Sequence, residues 1–446
     1  MSTRRPITET VRARPEAHDG SAEADLADLA ARAGAGESLL SELQEAVDAR
    51  HPLELLRLAS SMVSALDLRT GDASPTAGDQ GPEETDRFQA SGSRTQSGGE
   101  VSLSDFADAL LNAGTPQAGA LASVMAAMSQ DAALAERIRG ELRSRRLPVP
   151  GWVRRLDQTE PIRARAMTHV FADSEAVAVE VRLPDDRICL VMVYVDHNLS
   201  TVVTDAFIAD DHLDHVLSHW RDADRSGASA DEDLPLPQAR AQLTEAIEAG
   251  AMTTPPFDTK TWPQCRPLVE WIISMMPPGG TGYQRPQWSA EDLADLTDRF
   301  ARSPQAADLS EEEVKLADLF VDFATSQGPG DPLRWSPTSV ELLLEWLPRT
   351  GHATPAHVKA APQVLRAFVS FSHEERGIAR DLTAQTLGPI ESHAPGLHEA
   401  TGEVTGDGRS DLSEGDVERA RRMQQIALRR HDPRRGFPHA DPRGGR

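Results

Sequence analysis

Apolar residues recur along this chain at two periods, and the change of period divides it. From Arg165 to Asp222 the sequence switches to apolar runs of period two and then to one helix: Val177, Val179, Val181 and Leu183 alternate with Ala176, Ala178, Glu180 and Arg182, the pattern of a half-buried strand. Pro184-Asp185-Asp186 then supplies a tight turn, since proline presets φ and aspartate bonds its own backbone. The run Ile188 to Val195 is apolar at every position, which predicts a strand covered on both faces. Asp196-His197-Asn198 turns the chain again and Thr201–Ile208 forms the next strand, with a weaker one at Ala166–Phe171. Three or four strands in an antiparallel meander follow from this pattern.

Elsewhere the spacing is helical. Leu39, Leu40, Leu43 and Val47 keep it, as do Leu53, Leu56, Ala59 and Met62. So do Phe106, Leu110, Leu121, Met125, Leu134 and Ile138 within 104–146, and Leu213, Val216, Leu217 and Trp220 in a helix over 210–221. Ser289 with Asp292, Ser310 before Glu311, and Ser336 before Pro337 read as helix starts, and Pro348 as a stop. Val340, Leu343, Leu344 and Leu347 make one stripe, and Val364, Leu365, Phe368 and Phe371 another on a helix over 362–372. The fold class is therefore α+β, mainly helical, with a small antiparallel sheet packed on the helix 210–221.

Composition sets the boundaries. Residues 1–35 and 69–100 are polar and rich in Gly, Ser, Thr, Pro and Asp, the composition of a disordered arm and linker on either side of a helical pair at 36–68. A helical segment at 101–150, sheet and helix at 151–223, an acidic connector at 224–237, a helical domain at 238–392 and a tail at 393–446 complete the organisation. Ser413 caps a helix in that tail, with acids in its first turns and Arg429-Arg430 at its end.

The net charge of −24 makes the body a poor nucleic-acid binder. It is uneven: 417–446 holds nine arginines against Glu418, Asp432 and Asp441, or +6, which leaves −30 on 1–416. Only Lys260, Lys315 and Lys359 are lysines, which limits P-loop and Schiff-base chemistry. Two cysteines, Cys189 and Cys265, make neither a disulfide framework nor a zinc ribbon and point to a reducing, cytoplasmic setting. Cys265 reads as a small hydrophobe. The N-terminus lacks the apolar core of a signal peptide, and Ile188–Val195 is too short to span a bilayer, so no membrane association is expected.

Candidate chemistry is sparse. At 100° per residue His212, His215 and His219 fall within about 60° of one another on the flank of the helix 210–221. Asp211 and Asp222 border that strip, and Asp196 and His197 in the preceding turn are within conceivable reach. Histidines one turn apart converge on one metal ion, but no HExxH or CxxC accompanies them. Asp205, among Val202, Val203, Phe207 and Ile208, reads as a wet-face or sheet-edge carboxylate. Gly279-Gly280-Thr281-Gly282 follows no apolar strand and completes no phosphate-binding pattern, so it reads as a flexible loop. No GxSxG occurs and no cofactor fingerprint is complete; no cofactor is expected.

Arg334-Trp335-Ser336-Pro337, Glu345-Trp346-Leu347-Pro348-Arg349, Val364-Leu365-Arg366-Ala367-Phe368, Val195-Asp196-His197-Asn198 and Asp205-Ala206-Phe207 together resemble a family of uncharacterised actinobacterial proteins over about 150–390. The resemblance implies kinship of fold and assigns no activity. The reading is a cytoplasmic, non-enzymatic interaction or regulatory component with a protein partner, of open oligomeric state. Two alternatives are a metal-dependent hydrolase centred on His212, His215 and His219, and a nucleic-acid-associated protein acting through the 417–446 tail.

Overall fold

A computed structural model of the chain describes residues 39–71, 101–224, 227–253, 259, 261–350, 352–397, 418 and 420–426. The arm 1–35, the linker from 72 to 100, the cap Ser413 and the arginines beyond 426 lie outside the described residues. The chain forms two compact units, 1–154 and 155–446.

In the first unit α1 (Leu39–Asp48) and α2 (Leu53–Gly71) pack on α4 (Pro116–Met128), which also meets α3 (Leu103–Asn112) and α5 (Ala132–Ser144). The helices before and after the linker thus share one core. α4 is buried nearly all round, through Ala118, Gly119, Ala120, Leu121, Ala122, Val124, Met125 and Ala126. Small residues are what let neighbouring helices approach it: a Cβ on Gly119 would lie 2.7 Å from a Leu142 methyl. Ser102, Thr115 and Asp131 accept backbone N–H groups at the starts of α3, α4 and α5.

The second unit opens on the sheet. Strands β1 (Glu160–His169), β2 (Ser174–Arg182), β3 (Ile188–Asp196) and β4 (Val202–Ala209) form the expected antiparallel meander. After α6 (Leu213–Ala223) the chain crosses the sheet and β5 (Ser229–Leu234) pairs with the free side of β1, giving the order β4-β3-β2-β1-β5. Five strands replace the three or four expected. The fifth lies in the acidic connector, whose sequence Ser-Ala-Asp-Glu-Asp-Leu carries no apolar alternation. What holds β5 is the backbone ladder to β1 and two arginines: Arg165 and Arg221 both bind the Asp231 carboxylate, and Arg165 also donates to Asp233 at 2.6 Å.

Both faces of the central strands are buried, as the unbroken apolar run of β3 requires. Met167, Ala176, Ala178, Leu190, Met192 and Tyr194 meet Leu213, Val216 and Leu217 of α6, with Phe207 and Trp220 at the margin. α7 (Leu236–Ala251) and α8 (Trp262–Met275) run against β1 and β4, so the opposite set, with Val177, Val179, Val191 and Val193, is covered as well.

The remaining helices, α9 (Ala290–Ala301), α10 (Glu311–Val314), α11 (Leu316–Ser326), α12 (Pro337–Trp346), α13 (Pro355–Arg376) and α14 (Arg380–Leu397), enclose Phe300, Phe320, Trp335, Leu343 and Phe368. Capping boxes at Ser289, Ser310, Ser336 and Thr354 start four of them. The helix expected over 362–372 runs longer, because Thr354 caps it, Pro355 occupies its first position and Pro362 is accommodated inside. Residues 420–426 are helical and seat Ile426 in the same core, with Arg422 3.6 Å from Glu345. The turn between β1 and β2 is tied to this bundle. Arg334 donates to the Val170 carbonyl at 2.7 Å, and Phe171 stacks on the buried ring of His373, 5.8 Å centroid to centroid. No helix among the described residues is long and apolar enough to cross a membrane.

Candidate functional site

Helix α6 was the sequence's best candidate, and the structure rearranges it. The helix begins at Leu213, so His212 is the residue before it, with extended backbone at φ −101°, and does not share the helical face of the other two. Its ring turns to β2 instead, with Nδ1 3.3 Å from Glu180 Oε1. Glu180 also accepts the Leu213 N–H at 3.1 Å and the Arg163 guanidinium at 2.7 Å. A carboxylate from a neighbouring strand thus caps α6.

His215 and His219, four residues apart, do meet. Their Nε2 atoms lie 2.9 Å apart, and His215 Nδ1 is 2.9 Å from both oxygens of Asp211. Among the described residues no group of three or more His, Cys, Asp or Glu side chains is placed to share a metal ion. The three-histidine centre of the hydrolase alternative is therefore not assembled. Asp196 and His197 sit at the opposite end of the β3–β4 pair, since Asp196 pairs with Val202 while Leu190 pairs with Ala209.

That opposite end carries a second polar cluster, unrecognised in the sequence. Glu175, at the start of β2, accepts the Tyr283 hydroxyl proton, and His197 Nε2 stands 4.0 Å from its other oxygen. The His197 ring meets the Tyr283 ring edge-on at 5.1 Å, and His197 Nδ1 is 3.2 Å from the Thr201 hydroxyl. Burial pushes the Glu175 carboxyl above its ordinary range, and the Tyr283 hydrogen bond only partly offsets this. Burial and the nearby Glu175 charge hold the Tyr283 phenol protonated well past its usual value.

The glycine run places this tyrosine. Gly280 has φ +86°, and a Cβ there would come within 2.5 Å of the Pro237 carbonyl oxygen. Gln238 clasps the loop through Thr281 N–H and the Gly282 carbonyl, and Glu245 accepts the Tyr283 N–H at 2.8 Å. The loop is thus packed against α7, where the sequence suggested a flexible connection. Next to it, Asp196 is buried; burial first, then the charge of Asp173, pushes its carboxyl up to about 7. Leu199 N–H donates to it at 3.0 Å. The hydrogen bond between Tyr283 and Glu175 fastens the loop to the end of the sheet, while Asp196 and His197 bond within their own turn.

Of the other candidates, Asp205 is half-buried and accepts the Thr261 hydroxyl, while Cys189 is buried and Cys265 half-buried, neither in a disulfide. In the first unit, α1 and α2 enclose a cleft of about 450 Å³ lined by Glu42, Glu45, Ala46, Glu54, Arg57, Leu58 and Ser61. Glu54 is paired with Arg57 at 3.0 Å, so the α2 bank is balanced and the acidic excess comes from Glu42 and Glu45 of α1, with Ala46 and Leu58 as the apolar part of the lining. Glu42 and Glu45 are three residues apart on one face of α1, a spacing that was legible in the sequence; the opposing bank was not.

No family model matches this chain, and neither the curated proteins nor the solved structures compared with it give a significant match.

Proposed function

We propose that this chain is a non-enzymatic interaction component that takes up a basic helical segment of a protein partner in the cleft between α1 and α2. The observation that supports the reading is the lining of that cleft, in which Glu42 and Glu45 supply a net negative charge beside Ala46 and Leu58, while Glu54 is paired with Arg57. Arginine and lysine suit such a surface, because their alkyl stems lie on apolar floor while the cationic heads reach carboxylates. The strongly acidic balance of the chain acts in the same direction, drawing cationic partners in from a distance.

The test is fluorescence anisotropy with a labelled, Arg- and Lys-rich amphipathic helical peptide and the full chain, at low and moderate salt. Reversing Glu42 and Glu45 together to lysine should weaken binding about tenfold or more, since two exposed pairs become repulsive. A control reverses Asp295 and Asp298 on α9, both exposed acids of the other unit. If that control weakens binding as much, the attraction is diffuse and the cleft reading fails. Undiminished binding by the Glu42→Lys/Glu45→Lys variant refutes it equally.

A further inference from the structure

We propose that His215 and His219 form a surface site for one divalent transition-metal ion of the zinc class, with Asp211 as the group that orients the first ligand. A carboxylate only accepts, so both oxygens of Asp211, each 2.9 Å from His215 Nδ1, place the ring hydrogen on that nitrogen. The lone pair of His215 is then on Nε2, which points at His219 Nε2 2.9 Å away. Two imidazole nitrogens aimed at one another hold a single proton between them, and a metal ion can replace that proton.

The geometry is close to what the ion needs. Zinc bound tetrahedrally at its usual zinc–nitrogen length separates two ligand nitrogens by about 3.3 Å, so the pair opens by roughly 0.4 Å and each ring turns to aim its lone pair at the ion instead of at the other nitrogen. Residues i and i+4 of a helix are stacked one turn apart, and the backbone of α6 keeps the pair in register without further ordering. The carboxylate on the far nitrogen of a metal-bound histidine fixes the ring and raises its basicity, and Asp211 stands in that relation to His215. Water fills the remaining coordination positions, since His215 is 58% exposed. His212 is no part of the site, because it is held against Glu180.

Isothermal calorimetry with zinc chloride and untagged, chelator-stripped full-length protein tests this. One saturable site per chain is expected. It should be lost in His215→Ala and in His219→Ala, weakened about 10–100-fold in Asp211→Asn, and retained in His212→Ala. Both histidines are on the surface of a helix whose buried stripe is Leu213, Val216 and Leu217, so folding is unaffected and circular dichroism confirms it. Absence of saturable binding overturns the proposal. So does wild-type affinity in either alanine variant at 215 or 219, or a loss on His212→Ala equal to theirs.

Discussion

Replacing Asp196 by asparagine should stabilise the 155–446 unit by an amount that grows with pH. The Asp196 side chain is buried at the end of β3, 2% exposed, with Asp173 nearby. Burial first and the Asp173 charge second push its carboxyl up to about 7, against 3.8 for an unperturbed aspartate, although Leu199 N–H and Asn198 donate to it. In the unfolded chain the group gives up its proton near the lower value; in the folded chain it keeps the proton until the upper one. Between them the folded state binds the extra proton, so stability is lost as pH rises through that window. A gap of about three pH units corresponds to about 4 kcal/mol, and relaxation and water penetration bring the expected effect to about 2–4 kcal/mol. Asparagine is neutral throughout and its oxygen still accepts the Leu199 N–H. Its new N–H groups also face Asn198, whose buried Oδ1 has no hydrogen-bond partner among the described residues. Urea unfolding followed by tryptophan fluorescence is the assay, because six of the seven tryptophans lie in 155–446. The stability difference between variant and wild type should be near zero at about pH 4 and reach its plateau by about pH 8. A difference that is constant across this range, or that shrinks with rising pH, refutes the account.

Three further substitutions, at His373, Gly280 and Gly140, carry expectations of their own. His373 is buried; burial holds its ring neutral down to about 4, against a weaker opposing pull from the Trp335 carbonyl. The unfolded chain takes up that proton first, so stability should fall by about 2–3 kcal/mol as pH drops from 6.5 to 4. In His373→Gln this part of the slope should vanish in the same unfolding measurement, and a slope of unchanged size would count against the assignment. Gly280→Ala puts a methyl group 2.5 Å from the Pro237 oxygen at φ +86°, and should cost about 1–3 kcal/mol while speeding amide exchange at Tyr283. Gly140→Ala, on α5 with nothing within 4 Å, should instead stabilise its own unit by about 0.5–1 kcal/mol; equal effects at the two sites would show that local crowding is not the cause.

Much of the fold was legible in the order of residues because it rests on contacts between neighbours in sequence. The valines of β2 and the unbroken run of β3 announced strands, and Ser289, Ser310 and Ser336 announced helix starts, since a cap and its N–H partner lie three residues apart. Tertiary structure decided whatever depends on partners far along the chain. β5 is a strand because β1 offers it a ladder and Arg165 and Arg221 hold Asp231, none of which its own acidic sequence reveals. α6 starts at Leu213, three residues after the expected start at 210, because Glu180, 33 residues away, caps it there, and that removed His212 from the histidine cluster. Tyr283 reaches Glu175 across 108 residues, through a glycine loop whose sequence suggested only flexibility. Local periodicity records which face of an element is apolar; which buried carboxylate meets which distant donor is set only when the elements pack, because hydrogen bonds and ion pairs act over a few ångströms of space and not along the sequence.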